Sequence, residues 1–172
     1  MTRPQPTEAA SYYFSYIDLV KSDEIVPAIK SQLDETLPFL QSISEEQSLY
    51  TYAPGKWSIR DVLNHVNDGE RLFLGRAFWF ARGFQDPLPS FDQEIAAQAA
   101  QANKTRWAEL VEEFRIVRLA TISFFNNLPD EAWSRTGTAS DNPFTVRALA
   151  YIIAGHVTHH MKVLHEKYGI TG

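Results

Sequence analysis

Three histidines carry the strongest chemical signal in this chain: His65, His156 and His160. His156 and His160 are four residues apart, so on an α-helix their imidazole rings lie on one face, one turn apart. Two rings placed in this way can bind one metal ion. A third histidine from another helix would complete a three-nitrogen site with open coordination positions, the arrangement that catalytic zinc uses.

The neighbouring residues favour burial of these histidines. His156 and His160 continue a row of apolar residues at helical spacing that contains Val146, Leu149, Ile153 and Val163. His65 interrupts a second apolar row in the same way. Because a buried imidazole without a partner is costly, one shared metal ion would satisfy all three. The alternative is that they lie at the edge of the core and bond to backbone carbonyls or to Asp and Glu side chains.

Two further residues are candidates for a catalytic role. His159 lies beside the pair, where it either flanks the site as a hydrogen-bond donor or proton carrier, or faces solvent. Asp68 follows His65 by three residues, so it either reaches the metal and orients His65, or lies on a solvated helix face. We expect His165 to face solvent near the end of its helix, outside the site.

Other catalytic classes lack their motifs. Val157 stands where the His-Glu-x-x-His motif of metallopeptidases has its general-base glutamate. Neither Gly-x-Ser-x-Gly nor a glycine-rich phosphate loop occurs. The chain has no cysteine, which excludes disulfides, thiolate zinc ligands and a cysteine nucleophile. Any metal must therefore be bound by imidazole, carboxylate or water.

Composition and charge limit the partners. The 172 residues include 16 basic and 21 acidic side chains, and the net charge of −5 argues against nucleic acid as a partner. Residues 1–10 are predicted to be a flexible N-terminal tail, and they lack the features of a signal peptide. The apolar stretches are too short to span a membrane. We therefore expect a cytoplasmic protein that acts on a small molecule, with residues 11–172 as a single domain.

Helices must position the histidines, and helical periodicity recurs four times. It predicts long helices over about 23–43, 58–82, 104–127 and 145–168, with a shorter helix over about 93–102. Ser58 to Asp61 resembles a capping box, and Pro38 is expected to bend or split the first helix. No segment alternates as a strand does. The sequence predicts an all-α four-helix bundle without a β-sheet, and the long connection between the second and third helices allows a crossover.

Two segments resemble signatures of one family. Residues 54–65, PGKWSIRDVLNH, together with Asp68, Glu70 and Arg71, resemble the helix-2 signature of the DinB-like superfamily. Residues 145–160, TVRALAYIIAGHVTHH, are similar to the signature of that family's last helix. The segments around Gly137-Thr138 and 88–92 are typical of one branch. The resemblance extends from about Tyr16 to Tyr168.

This resemblance implies a four-helix bundle with up-up-down-down connectivity that is usually dimeric. It implies a divalent metal, commonly zinc or nickel, bound by three histidines, which by motif are His65, His156 and His160. A homodimer is also favoured by the large apolar side chains of Phe78, Trp79 and Phe80, which point to different sides of one helix. Members of the family include bacillithiol S-transferases, a mycothiol-dependent maleylpyruvate isomerase and metal-dependent hydrolases.

Our first functional hypothesis is an enzyme in which the metal activates a low-molecular-weight thiol for attack on a small electrophile. The alternatives are a metal-dependent hydrolase, a non-catalytic metal-binding bundle with a role in stress, and a structural dimer with a vestigial site. No strong general base is visible beside the three histidines, which favours thiol activation over hydrolysis. No motif selects a particular thiol.

Overall fold

The computed structural model describes residues 2–171 and consists mainly of helices. Numbered in chain order, these are α1 (Phe14–Ile17), α2 (Ile25–Ser42), α3 (Ile59–Ala81), α4 (Gln93–Ala100), α5 (Trp107–Asn126) and α6 (Val146–Tyr168). The four long helices α2, α3, α5 and α6 form a bundle in which α3 packs mainly against α6 and α5. The all-α four-helix bundle is confirmed, and α4 is the predicted short helix. Helix α2 continues through Pro38 and is not split.

The starts of the two histidine-bearing helices are fixed by side-chain caps. Ser58 Oγ accepts a hydrogen bond from the Asp61 amide (3.1 Å), and the Asp61 carboxylate accepts one from the Ser58 amide (3.0 Å). This is the predicted capping box. Thr145 caps α6 by accepting from the Ala148 amide (3.0 Å). Because a cap determines where a helix begins, these contacts set the positions of His65 and His156 along their helices.

Helices α3 and α5 run in the same direction. Near the start of both helices, the Asn67 side chain donates to the Leu110 carbonyl (3.2 Å). Near their ends, the rings of Phe78 and Phe124 have centroids 6.4 Å apart. The connection between these helices, residues 82–106, therefore returns the chain to the other end of the bundle, which is the crossover that its length allowed.

Helices α2 and α6 are also parallel. The Gln32 side chain donates to the Ala154 carbonyl (2.9 Å), and further along both helices the rings of Phe39 and His165 stack at 5.8 Å. Together these contacts place α2 and α6 in one direction.

Helix α6 is antiparallel to α3. His65, early in α3, lies against His160 with ring centroids 4.8 Å apart, whereas Phe73, later in α3, lies 6.0 Å from the earlier residue His156. The four helices therefore run up-down-down-up, and the predicted up-up-down-down order of directions is wrong. The reason is that the connection 82–106 crosses the bundle, whereas the chain reverses direction through residues 43–58 and 127–145.

Apolar side chains fill the bundle along its length, and Phe80, Phe114 and Leu149 are completely or almost completely buried. No helix within residues 2–171 is long and apolar enough to cross a membrane. Phe78 is 44% exposed, and on α5 the side chains of Ile116 and Leu119 are 54% and 44% exposed. A homodimer that buries such exposed side chains stays a prediction.

A short β-hairpin corrects the prediction that the chain has no β-sheet. Strands β1 (Thr136–Ala139) and β2 (Asn142–Thr145) are antiparallel and lead directly into α6. The turn residues Ser140 and Asp141 both have positive φ, 50° and 58°. A two-residue turn of this kind usually contains glycine, which is why the sequence did not reveal it. Four-residue strands are also too short to show alternation.

Residues 2–10, predicted as a flexible tail, lie against the bundle. The Arg3 guanidinium donates to the carbonyl of Ile17 (3.1 Å) and Ala9 is buried. Glu8 accepts a hydrogen bond from Thr145 Oγ1 (2.7 Å) and pairs with Arg147. A carboxylate at this position is favourable because it lies at the positive end of the α6 dipole. Met1 and Gly172 lie outside the described residues.

We predict that Glu8→Ala lowers the free energy of unfolding by about 1–3 kcal/mol, because the Glu8 side chain is 10% exposed and its hydrogen bonds are charge-assisted. Chemical denaturation measures the change. Glu166→Ala is the control, since the Glu166 side chain is 59% exposed and forms an exposed ion pair with Lys162 at 3.7 Å; its effect is expected to stay below about 0.5 kcal/mol. Equal effects of the two substitutions would contradict the packing described for residues 2–10.

Candidate metal centre

The three predicted histidines converge at the contact between α3 and α6. The Nε2 atom of His156 lies 3.1 Å from Nε2 of His65 and 3.1 Å from Nε2 of His160. One ligand nitrogen from each of the three residues lies within 4.8 Å of the other two. Nitrogens bound tetrahedrally to one zinc ion at about 2.0–2.1 Å are about 3.3 Å apart. The spacing therefore fits a single ion.

A glycine in the facing helix provides the space for His156. A β-carbon built on Gly69 would lie 2.8 Å from Cε1 of His156, closer than carbon atoms normally approach. His156 therefore packs directly onto the backbone of α3, and only 4% of this residue is exposed. Gly69 was not among the residues predicted from the sequence, where the available signal was a glycine inside a helix, four residues after His65.

The environment keeps the imidazoles neutral. Burial lowers the pKa of His65 to about 4 and the pKa of His156 to about 3. Burial, and then the neighbouring His156 and His65, also lower the pKa of His160. All three rings are therefore neutral near pH 7, which is the state in which imidazole binds a metal.

The alternative reading, in which these are core histidines bonded to carbonyls or carboxylates, does not match this geometry. Within residues 2–171, the polar neighbours of the three Nε2 atoms are one another. Nδ1 of His160 is buried and has no hydrogen-bond partner. Three neutral nitrogens converging without a carboxylate form a donor set that suits zinc or nickel better than magnesium or calcium.

Asp68 points to other partners. Its carboxylate accepts a hydrogen bond from Asn64 Nδ2 (2.8 Å) and forms an ion pair with Arg71 (3.3 Å). The histidine cluster does not include it. The suggestion that Asp68 orients His65 or reaches the metal therefore finds no support in the geometry.

His159 lies at the edge of the cluster, half-buried. Its ring centroid is 5.0 Å from that of His160 and 5.4 Å from that of Tyr16. Burial lowers its pKa. A flanking role as a proton carrier stays a prediction. His165 is exposed and stacks on Phe39, away from the cluster, as expected.

A cavity of about 220 Å³ opens onto His65 and His156. Several of its lining residues are aromatic, and two of its polar residues, Tyr16 and Arg76, were not predicted from the sequence. The Tyr16 ring centroid lies 5.4 Å from that of His156. This approach requires a glycine in α6, because a β-carbon at Gly155 would lie 2.1 Å from the carbonyl oxygen of Tyr16.

A second cavity, of about 430 Å³, opens onto His160. Trp57 borders it, with its ring centroid 5.0 Å from that of His65. Lys56 and Tyr168 also line this space. Gln93, at the start of α4, borders both cavities. The three histidines are thus approached from two sides.

We predict that Gly69→Ala folds but weakens zinc binding at least about tenfold, because the new methyl group displaces the His156 ring. Competition with a chromophoric chelator measures the affinity. Gly75→Ala is the matched control on the same helix, since a β-carbon there meets no atom within 4 Å. It should retain zinc affinity and raise stability by about 0.5–1 kcal/mol. Equal affinities would mean that Gly69 does not shape the site.

The lowered pKa values also predict how the stability of the metal-free protein depends on pH. Below the unfolded-state pKa of about 6.5, the unfolded chain binds protons that the folded rings exclude, so stability falls as pH falls from about 6.5 towards 4. A fully buried histidine such as His156 contributes about 1.4 kcal/mol per pH unit.

The measurement is the slope of unfolding free energy against pH, compared between the native protein and His156→Ala after chelation. The comparison is needed because burial raises the pKa values of Asp68 and Glu70, which act in the opposite direction. Gly75→Ala, which removes no titratable group, is the control and keeps the native slope. An unchanged slope in His156→Ala would contradict the neutral buried ring.

Comparisons with known proteins agree with the fold. The sequence profile of the DinB superfamily matches residues 28–164. YfiT from Bacillus subtilis, described as a "probable metal-dependent hydrolase with an unusual four-helix bundle topology", superposes with a TM-score of 0.70 and 13% identity over 98% of this chain and 94% of that protein. A mycothiol-dependent maleylpyruvate isomerase superposes with a TM-score of 0.68 and 11% identity over 84% of this chain.

This chain spans 61% of the isomerase. No match was found among curated protein sequences. At such identities the structural similarity establishes the fold alone. The profile, however, covers most of the sequence and both histidine-bearing helices. The chain therefore belongs to the DinB superfamily.

Proposed function

We propose that this protein is a metal-dependent enzyme that transfers a low-molecular-weight thiol to a small electrophilic molecule. The metal, zinc or nickel, would be held by His65, His156 and His160. The observation that carries this proposal is the convergence of their neutral Nε2 atoms, 3.1 Å from His156 to each of the others, at a cluster onto which two cavities open.

The donor set determines what the centre can do. Three neutral imidazoles leave the two positive charges of the ion uncompensated and leave coordination positions open. In such a position the metal would lower the pKa of a bound thiol or water. The protein supplies fixed placement, since the histidines lie on two packed helices, and the walls of the first cavity include aromatic residues such as Tyr13 and Phe73.

Two cavities favour a reaction with two organic substrates. One opens onto His65 and His156, and the other opens onto His160. An electrophile and a thiol can therefore approach the same centre from different sides. Hydrolysis needs space for one organic substrate and water. The cytoplasm predicted from the sequence is a reducing compartment in which thiols persist.

No carboxylate within residues 2–171 belongs to the histidine cluster, which also favours thiol transfer. A thiolate attacks an electrophile without further deprotonation, whereas attack by water is usually assisted by a general base. Asp68, the nearest candidate from the sequence, is held by Asn64 and Arg71. Hydrolysis remains the second candidate because YfiT is described as a metal-dependent hydrolase, and the dependence of the isomerase on mycothiol supports the first.

We predict that protein purified without chelators contains about one zinc or nickel ion per chain. His65→Ala and His160→Ala should each lose most of this metal, because two imidazoles bind a divalent ion far more weakly than three. The variants should also lose conjugation of thiols to a fluorogenic bimane electrophile. Elemental analysis and the rate of fluorescence increase measure the two effects. His165→Ala is the control and should change neither.

Two results would separate the functional alternatives. Full metal content in the His65→Ala, His156→Ala and His160→Ala variants would refute the three-histidine site. The hydrolase would be favoured if the metal-bound protein hydrolysed esters in the absence of any thiol. In that case it would also show no conjugation with bacillithiol, mycothiol or coenzyme A. His159→Ala tests the flanking residue: a lower turnover with unchanged metal would assign it a role in the reaction.

A further inference from the structure

Arg76 is an unusual buried charge. Its side chain lies on α3, is 3% exposed and lines the cavity of about 220 Å³ together with His65 and His156. Two other arginines are as deeply buried, and both pair with a carboxylate: Arg60 with Glu45, and Arg118 with Glu70 at 3.0 Å. No carboxylate within residues 2–171 forms an ion pair with Arg76.

The hydrogen bonds of Arg76 leave part of its guanidinium without a partner. Nη2 donates to the Pro89 carbonyl (3.1 Å) and to Ser140 Oγ (2.8 Å). Nε is buried and has no hydrogen-bond partner. The guanidinium carbon also lies 5.9 Å from the ring centroids of Phe73 and Phe144. A buried cation that is only partly satisfied is costly unless a ligand completes its bonding.

The charge around the cavity has one sign. Among the described residues that line it, none is aspartate or glutamate, and Arg76 is formally charged while His65 and His156 are neutral. A bound divalent metal would add two further positive charges. A positively charged cavity wall of this kind attracts an anionic ligand.

Arg76 and the histidines are close enough for one small molecule to reach both. Phe73 lies near both, with its ring centroid 5.9 Å from the Arg76 guanidinium carbon and 6.0 Å from the His156 ring. A ligand lying along Phe73 would place one end at the guanidinium and the other at the histidines. Arginine binds carboxylates particularly well because its planar donors match the two oxygens.

We infer that Arg76 is a binding residue for a carboxylate, so that one of the two substrates is a small carboxylic acid with its reactive atom at the histidine cluster. The assignment of the reactive end rests on the proposed thiol transfer, whereas anion binding at Arg76 does not. The carboxylate belongs either to the electrophile or to the thiol.

The competing explanation is a purely structural one. Arg76 ties α3 to the connection 82–106 through Pro89 and to the hairpin turn through Ser140. Ser140→Ala removes one of these contacts and keeps the guanidinium, so it separates the two roles. Arg76→Gln removes the charge and retains a polar side chain.

The deciding experiment is the binding of benzoate and of benzamide, which have nearly the same shape and differ in charge, to the full chain. Isothermal titration calorimetry on native protein should give at least about tenfold tighter binding of benzoate. This preference should disappear in Arg76→Gln and persist in Ser140→Ala. It should also persist in His65→Ala, which shows that the anion is not simply bound by the metal. Circular dichroism establishes that each variant is folded.

A spectroscopic signature covers the case in which Arg76→Gln does not fold. In the native protein, the Nε–H resonance of Arg76 should shift on addition of benzoate and stay in place with benzamide. Equal affinities of the native protein for benzoate and benzamide would overturn the inference. So would a benzoate preference that survives in Arg76→Gln or disappears in His65→Ala. An Nε–H resonance that does not respond to benzoate would also overturn it.

A second arm identifies which substrate carries the carboxylate. In S-alkylation by iodoacetate or iodoacetamide, the carbon–sulfur bond forms, iodide leaves with the electron pair and the thiol proton passes to solvent. With 2-mercaptoethanol as the thiol, a selective loss of kcat/KM for iodoacetate in Arg76→Gln assigns the carboxylate to the electrophile. With iodoacetamide as the electrophile, a selective loss of kcat/KM for mercaptoacetate in Arg76→Gln assigns the carboxylate to the thiol. Benzoate selectivity without any conjugation would refute the proposed transfer and leave anion binding intact.

Discussion

The close contact between α3 and α6 is the constraint on which the site depends. His156 lies directly on Gly69, and this contact brings Nε2 of His156 to 3.1 Å from Nε2 of both His65 and His160. The caps at Ser58 and Thr145 fix where the two helices begin, so the site is encoded in helix register as well as in side chains. Burial then keeps the rings neutral and ready to bind a cation.

Burial of polar groups recurs around this contact. The Glu70–Arg118 pair links α3 to α5 at 3.0 Å with both side chains at most 2% exposed, and several of its polar atoms have no hydrogen-bond partner. Such groups cost stability compared with an apolar core. Arg76 differs from this pair because it borders a cavity whose described lining residues include no carboxylate. The bundle therefore has a buried ion pair, Glu70–Arg118, in its interior and the cationic side chain of Arg76 at the wall of a cavity.

Helical periodicity and side-chain spacing predicted the long helices, the capping box and the three histidines, because these features depend on residues close in sequence. The helix directions were not predictable in this way, since the length of the connection 82–106 permits a crossover without requiring one. The hairpin was missed because its turn uses Ser140 and Asp141 at positive φ. Gly69 and Arg76 gain their roles from long-range contacts that no local pattern contains.

The central claim is that one metal ion binds where α3 and α6 meet and keeps a position open for substrate. Anomalous diffraction at the absorption edge of the metal, from crystals of the protein as purified, tests it most directly. The account predicts one peak bonded to Nε2 of His65, His156 and His160 at about 2.0–2.1 Å, if the ion is zinc, with at least one coordination position facing a cavity. A peak elsewhere, or an ion whose coordination is completed by protein atoms alone, would contradict the account.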